Sequence, residues 1–131
     1  MYNKIMLIGR LTATPELQKT AKDRAYCRVR LAVNRRYKSS DGKKEADFIS
    51  VIFWGRQAET LASYANKGAL LTVDGELRTN RYEKAGEWHY TSEVMAQGFQ
   101  LLESRSQRAK RDNQGGEDLS DLVLEGEALP F

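Results

Sequence analysis

Short strand patterns on either side of a single helical pattern constrain the fold of this chain more than any other feature. Residues 26–34 alternate apolar and polar side chains, and residues 47–55 are rich in β-branched and aromatic residues, as strands are. Between Arg56 and Lys67 the apolar residues recur at spacings of three and four, which predicts a helix capped by Gly68. The remaining predicted strands are residues 3–11, 69–82 and 88–102.

The resulting order, β-β-β-α-β-β, is that of the OB-fold, a five-stranded Greek-key barrel whose face and loops often hold oligonucleotides. We therefore expect an all-β domain with one helix over residues 1–104. Gly75 interrupts the fourth strand pattern, and we expect it to supply a β-bulge that bends the barrel. In the third strand, period two divides the side chains into two sets. Ile49, Val51 and Phe53 face the core, and Phe48, Ser50, Ile52 and Trp54 point away from it.

The net charge of +3 hides two opposite regions. Residues 1–111 contain all 21 Lys and Arg residues and 12 of the 18 acidic residues, which gives +9, whereas residues 112–131 contain six acidic residues and no basic one. A basic body suits a polyanion such as nucleic acid. An acidic segment that finishes Leu-Pro-Phe suits a basic, partly apolar pocket on another protein. We expect a flexible linker at residues 105–124 and a docking tip at residues 125–131.

Several classes of function lack the residues that they need. His89 is the only histidine, Cys27 is the only cysteine, and no glycine loop ends in Gly-Lys-Ser/Thr. No catalytic, metal-binding or phosphate-loop constellation is therefore expected, and we predict a binding protein without a cofactor rather than an enzyme. The single cysteine agrees with a reducing compartment. With no signal-peptide pattern and no apolar run of about eighteen residues, we expect a cytoplasmic protein.

Aromatic and basic residues are interleaved at positions that we expect to be exposed. Unpaired bases stack on flat rings for roughly 1–3 kcal/mol each while Lys and Arg follow the phosphates, so this mixture favours single-stranded nucleic acid. Core packing is the alternative for any strand aromatic; we expect it for Phe53 and Phe99, and packing on its own hairpin stays open for Trp88. The candidate stacking residues are Tyr37, Phe48, Trp54, Tyr82 and Trp88. The candidate phosphate contacts are Arg10, Arg28, Arg30, Arg35, Arg36, Lys38, Arg56, Arg78 and Arg81.

Several motifs resemble the bacterial single-stranded DNA-binding protein family. They are Asn3–Leu11 with Thr14–Leu17 after it, Phe53–Glu59, Tyr64–Gly68, Val73–Thr79 and Tyr90–Val94. The similarity runs in order through residues 1–104. The acidic end of the chain is similar to the family's partner-docking tip, which here corresponds to Glu125, Glu127, Leu129, Pro130 and Phe131.

This resemblance implies an OB-fold homotetramer around which single-stranded DNA wraps, with stacking at Tyr37, Phe48, Trp54 and Tyr82. It implies sequence-tolerant binding and protection of the strand, and a tip that recruits DNA repair, recombination and replication proteins. The short tail resembles the competence-associated member of Gram-positive bacteria, which protects DNA during transformation. A housekeeping replication role, an RNA-binding OB module and a structural adaptor are the alternatives that the sequence leaves open.

Overall fold

The secondary structure follows the predicted order with two differences. The computed structural model describes residues 1–38 and 40–103. The first difference from the prediction is a short added strand, β2. The second is the end of the helix: it stops at Tyr64 because Ala65 is extended, and Gly68, with φ of 88°, forms a later turn instead of the predicted cap. The elements are β1 (Ile5–Leu11), β2 (Gln18–Lys19), β3 (Ala25–Asn34), β4 (Ala46–Trp54), α1 (Arg56–Tyr64), β5 (Leu70–Lys84) and β6 (Glu87–Leu101).

Strand β1 closes the sheet into a barrel. It runs antiparallel to β5 from the Ile5–Gly75 pair to the Arg10–Leu70 pair, and its last two residues also pair with β3. The ring continues from β5 to β6, then to β4 in parallel and back to β3, while β2 pairs with the beginning of β3. Helix α1 packs against β3 and β4. This topology confirms the predicted OB-fold.

Alternate side chains of the strands fill the barrel. Phe53 is fully buried and meets Phe99 edge to face, with ring centroids 5.4 Å apart, so both rings pack in the core as predicted. Burial raises the pKa of the Cys27 thiol, which donates a hydrogen bond to the Ala58 carbonyl oxygen at 3.4 Å. Other fully buried core residues are Leu11, Leu31, Val51, Leu61, Leu71, Val73 and Val94. No helix in the described part of the chain is both long and apolar enough to cross a membrane.

A bulge and a tight turn shape the long β5–β6 hairpin. The ladder shifts register between Asp74 and Gly75, which confirms the predicted bulge. A Cβ at Gly75 would lie 2.2 Å from the Met95 carbonyl oxygen, so a larger residue does not fit. Beyond the bulge the hairpin continues as an exposed arm, which we define as residues 78–93. Its turn is two residues, Ala85 and Gly86, both with positive φ, as in a type I′ turn.

Candidate nucleic-acid interface

The outward side of β3 and β4 carries two arginines between aromatic side chains. We define this outer face by Tyr26, Arg28, Arg30, Phe48, Ser50, Ile52 and Trp54, which alternate with the buried residues of the same two strands. Tyr26 lies opposite Trp54 at one end, and Phe48, which is 46% exposed, lies at the other. Phe48 and Trp54 are six residues apart, or roughly 20 Å along the strand.

An ion pair crosses the middle of the outer face. The Arg28 guanidinium reaches over β4 and donates from Nε and Nη2 to the two carboxylate oxygens of Glu93, at 3.1 and 3.3 Å. That hydrogen bond raises the pKa of Arg28. The crossing side chain, with Met95 beside Ile52 in the β4–β6 register, explains why Ile52 points away from the core as predicted and is nevertheless only 4% exposed.

Trp54 lies against two residues that the sequence analysis did not single out. The Tyr26 ring is 5.4 Å from the Trp54 ring and tilted by 40°, and the Arg24 guanidinium lies 4.2 Å from the Trp54 ring centroid. The Tyr26 hydroxyl donates to Gln18 Oε1 at 2.8 Å. Period two in β3 places Tyr26 on the same side as Arg28, so the sequence carried a signal for Tyr26. Arg24 precedes the strand, and no pattern marked it.

Tyr37 stands among charged residues in the loop between β3 and β4. It is 82% exposed, and beside it is an open depression of ≈ 490 Å³. Arg35 donates to Asp47 at 2.8 Å and to Glu45 at 2.9 Å; the hydrogen bond from Arg35 lowers the pKa of Asp47, and the same contact raises the pKa of Arg35. The residues that line the depression are Arg35, Arg36, Tyr37, Lys38, Glu45 and Asp47.

The arm places its two candidate stacking residues on opposite sides. Tyr82 pairs with His89 across the hairpin, and the rings stack at 5.2 Å. Alternation puts His89 on the side of Glu93, so Tyr82 extends the outer face. Trp88 is on the other side, with the Arg81 guanidinium 5.1 Å from its ring. Tyr82 is 48% and Trp88 54% exposed, so both rings are accessible.

The exposed members of the predicted phosphate contacts divide into three groups. Arg28, Arg35 and Arg78 are each held by a carboxylate, that of Glu76 in the case of Arg78. Arg81 lies over Trp88. Within residues 1–38 and 40–103, the other exposed candidates form no ion pair. They are Arg30, Arg36, Lys38 and Arg56.

Arg10 does not fit the predicted role. It is 6% exposed, and its Nη1 donates to the Gly68 carbonyl oxygen at 3.1 Å and to Glu103 Oε1 at 2.6 Å. A guanidinium that is already buried and neutralised is not available to a phosphate, so we remove Arg10 from the candidate contacts. The predicted linker and the docking tip at Glu125, Glu127, Leu129, Pro130 and Phe131 lie outside the described residues. Among the described residues, no cluster of three or more His, Cys, Asp or Glu side chains is arranged to hold a metal ion.

An OB-fold barrel with aromatic rings at both ends of a row of arginines is a fold and surface that suit single-stranded nucleic acid. The chain belongs to the Single-strand binding protein family, which it matches over residues 2–102. This membership agrees with the expectation of a binding protein rather than an enzyme.

Relatives that match this chain over their full length, and one that matches over part of its length, support this assignment. The chain is 64% identical to single-stranded DNA-binding protein 2 of Streptococcus agalactiae serotype III and 61% identical to single-stranded DNA-binding protein 1 of Streptococcus pyogenes serotype M6, in each case over all of both chains. It is 46% identical to the single-stranded DNA-binding protein of Enterococcus faecalis, over 88% of this chain and 62% of that relative.

The fold also resembles a solved structure. The crystal structure of a deletion mutant of the single-stranded DNA binding protein from Thermus aquaticus superposes with a TM-score of 0.66 at 31% sequence identity. The superposition covers 81% of this chain and 53% of that chain, so this chain spans about half the length of the Thermus protein.

The buried position of Arg10 gives a stability prediction. Arg10→Gln should lower the free energy of unfolding by about 3–5 kcal/mol, because it removes the guanidinium that neutralises the nearly buried Glu103 carboxylate. The matched control is Arg30→Gln, which alters an exposed arginine and should change stability by no more than about 0.5 kcal/mol. Urea denaturation measures both. Equal stabilities of the two variants would show that Arg10 does not support the barrel.

Proposed function

We propose that this protein binds single-stranded DNA with little sequence preference and shields it from reannealing. The observation that carries the proposal is the outer face, where Phe48 and Trp54 stand at the two ends of a row that holds Arg28 and Arg30. Family membership supports it, as do the relatives that are more than 60% identical, which are single-stranded DNA-binding proteins. Nothing is turned over, since binding itself is the function.

Base stacking and phosphate contacts both contribute to binding, through different side chains. Bases stack on Phe48, Trp54, Tyr37 and Tyr82, whose π-faces accept any base, and this explains tolerance of sequence. The exposed cations without an ion pair meet the phosphates first. Arg35 joins by exchanging a carboxylate for a phosphate, which is inexpensive because its ion pairs are exposed on both sides and such pairs contribute only about 0–1 kcal/mol. Arg28 and Arg78 keep their partly buried partners Glu93 and Glu76 and meet a phosphate with their remaining N–H groups. Trp88 and Arg81 form a second contact on the far side of the arm.

The division of the chain into body and tail is part of the proposal. Residues 1–104 bind DNA and assemble as a homotetramer; the exposed apolar side chains of Tyr2 and Met6, 90% and 68% exposed, support burial of this region between copies. Residues 105–124 form a flexible linker. Residues 125–131, through Glu125, Glu127, Leu129, Pro130 and Phe131, recruit DNA repair, recombination, replication or transformation proteins in the cytoplasm.

We assign the protein to the competence role, in which it protects incoming DNA during transformation. The extent of the matches supports this assignment: the alignments with the relatives that are more than 60% identical cover all of both chains, whereas the alignment with the Enterococcus faecalis relative covers only 62% of that protein. A housekeeping replication role is the alternative. Deletion of the gene separates the two, because loss of the competence protein lowers transformation and spares growth, while loss of a replication protein arrests growth.

Titration with poly-dT tests the binding function. Fluorescence of the two tryptophans should be quenched on binding, because Trp88 is 54% exposed and the half-buried Trp54 lies on the outer face. The logarithm of the binding constant should fall linearly with the logarithm of salt concentration, with a slope of about −0.7 per phosphate contact. A parallel titration with poly-U provides the RNA comparison. Tighter binding to poly-U than to poly-dT would favour the RNA-binding alternative, and no response to either polymer would refute the function.

Removal of one ring tests the stacking surface. Phe48→Ala should weaken poly-dT binding by about 1–3 kcal/mol, because one base loses its platform. Tyr64→Ala is the matched control, since Tyr64 is an aromatic of similar exposure, 52% against 46%, that lies on α1 and not on the outer face. Urea denaturation checks that both variants are folded. Equal affinities for the two variants, or a large loss of stability in Phe48→Ala alone, would contradict a stacking role.

Truncation after Asn113 tests the tail. DNA affinity should stay equal or rise slightly, because the five acidic side chains beyond Asn113 no longer compete with DNA for the basic face. Capture of partner proteins by the DNA-bound protein should be lost. Since about twenty flexible residues span on average only about 25 Å, partners should dock close to the bound strand. A large loss of intrinsic DNA affinity would contradict the proposed division of labour.

A further inference from the structure

We propose that Arg24 and Trp54 form a base sandwich, a subsite that takes one nucleotide between a guanidinium and an indole ring. The inference rests on the proposed function and extends the binding surface beyond β4 to the turn between β2 and β3. Its basis is the position of Arg24 over the Trp54 ring, at 4.2 Å from the ring centroid.

The indole ring is held in position by its neighbours. Tyr26 lies opposite Trp54 in the β3–β4 register and packs against it, with 5.4 Å between ring centroids. The Tyr26 hydroxyl is itself fixed by Gln18 Oε1 at 2.8 Å, on β2. Gln18, Tyr26 and Trp54 therefore form a row across three strands. A ring that is oriented in this way loses little conformational freedom when a base stacks on it.

The guanidinium must move before a base can enter. At 4.2 Å from the ring centroid, it is in stacking contact, and no space is left for a base between them. The backbone of Arg24 is anchored, because its N–H donates to Thr20 Oγ1 at 3.2 Å and its carbonyl accepts from the Thr20 N–H at 2.9 Å. The side chain is exposed, so it can swing outward about a fixed Cα.

No carboxylate among the described residues holds the Arg24 guanidinium. Asp23, its neighbour in the same turn, is paired with Lys19 at 3.4 Å. This distinguishes Arg24 from Arg28, Arg35 and Arg78, which are already bound by acidic side chains. An entering nucleotide therefore meets a cation that lies against the ring which the base will occupy and that no carboxylate of the described residues holds.

The displaced guanidinium has two favourable contacts with a nucleotide. Its planar face stacks on the base that has taken its place, and its N–H groups donate to the adjacent phosphate. The base is then held on one face by Trp54 and on the other by Arg24. A lysine supplies the charge without the planar surface, so the arginine side chain is required for the sandwich.

Binding of labelled oligo-dT at several salt concentrations tests the proposal in the full chain. Arg24→Ala should bind about two- to fivefold more weakly than the Lys22→Ala control, and its salt slope should be less negative by about 0.7, the value for one lost phosphate contact. Lys22 is the matched control because it is an exposed cation of the same turn. Arg24→Lys should keep the wild-type slope and recover only part of the affinity.

Each outcome separates the subsite from the proposed function. Wild-type protein that does not bind oligo-dT refutes the function itself. If wild-type protein binds, equal affinities and slopes for Arg24→Ala and Lys22→Ala would overturn the sandwich and leave the function intact. Tighter binding by Arg24→Ala would also overturn it, because Arg24 would then be a cover that competes with the base. Urea denaturation of all three variants excludes a difference in folding.

Discussion

The double pairing of β1 is the constraint on which the rest of the structure depends. β1 is hydrogen-bonded to β5 along most of its length and to β3 at its end. These two pairings close the sheet into a barrel with a single interior. Phe53, Leu31, Val51 and Val73 fill that interior. Every second residue of β3 and β4 therefore points away from the interior. These outward residues form the outer face of the candidate interface.

Ion pairs neutralise part of the positive charge of the candidate interface, on the outer face and in the loop between β3 and β4. Arg28 spans β4 to reach Glu93, and Arg35 bridges Glu45 and Asp47. These carboxylates neutralise the two arginines in the free protein. Under the proposed function, a phosphate replaces the exposed carboxylates at Arg35. Under the proposed function, affinity therefore depends more on the stacked rings and on the cations without an ion pair than on the total positive charge.

The sequence predicted what depends on local periodicity and missed what depends on distant contacts. Alternation in β4 identified Phe48 and Trp54 as outward residues, and Gly75 marked the bulge, because both signals lie within one strand. The burial of Arg10 depends on Glu103, which is 93 residues away in sequence, and on closure at Gly68, so no local pattern revealed it. The contact between Arg24 and Trp54 likewise requires the register of β3 with β4.

The arm imposes a geometry on any strand that uses both of its rings. Tyr82 and Trp88 lie on opposite sides of a two-stranded ribbon, so a straight segment of DNA can reach only one of them. A strand that contacts both must pass around an edge of the ribbon or over the Ala85–Gly86 turn. For such a strand, the number of nucleotides bound at the arm depends on the path around the ribbon and not on the direct distance between the two rings. The strand also leaves the arm in a different direction from the one in which it arrived.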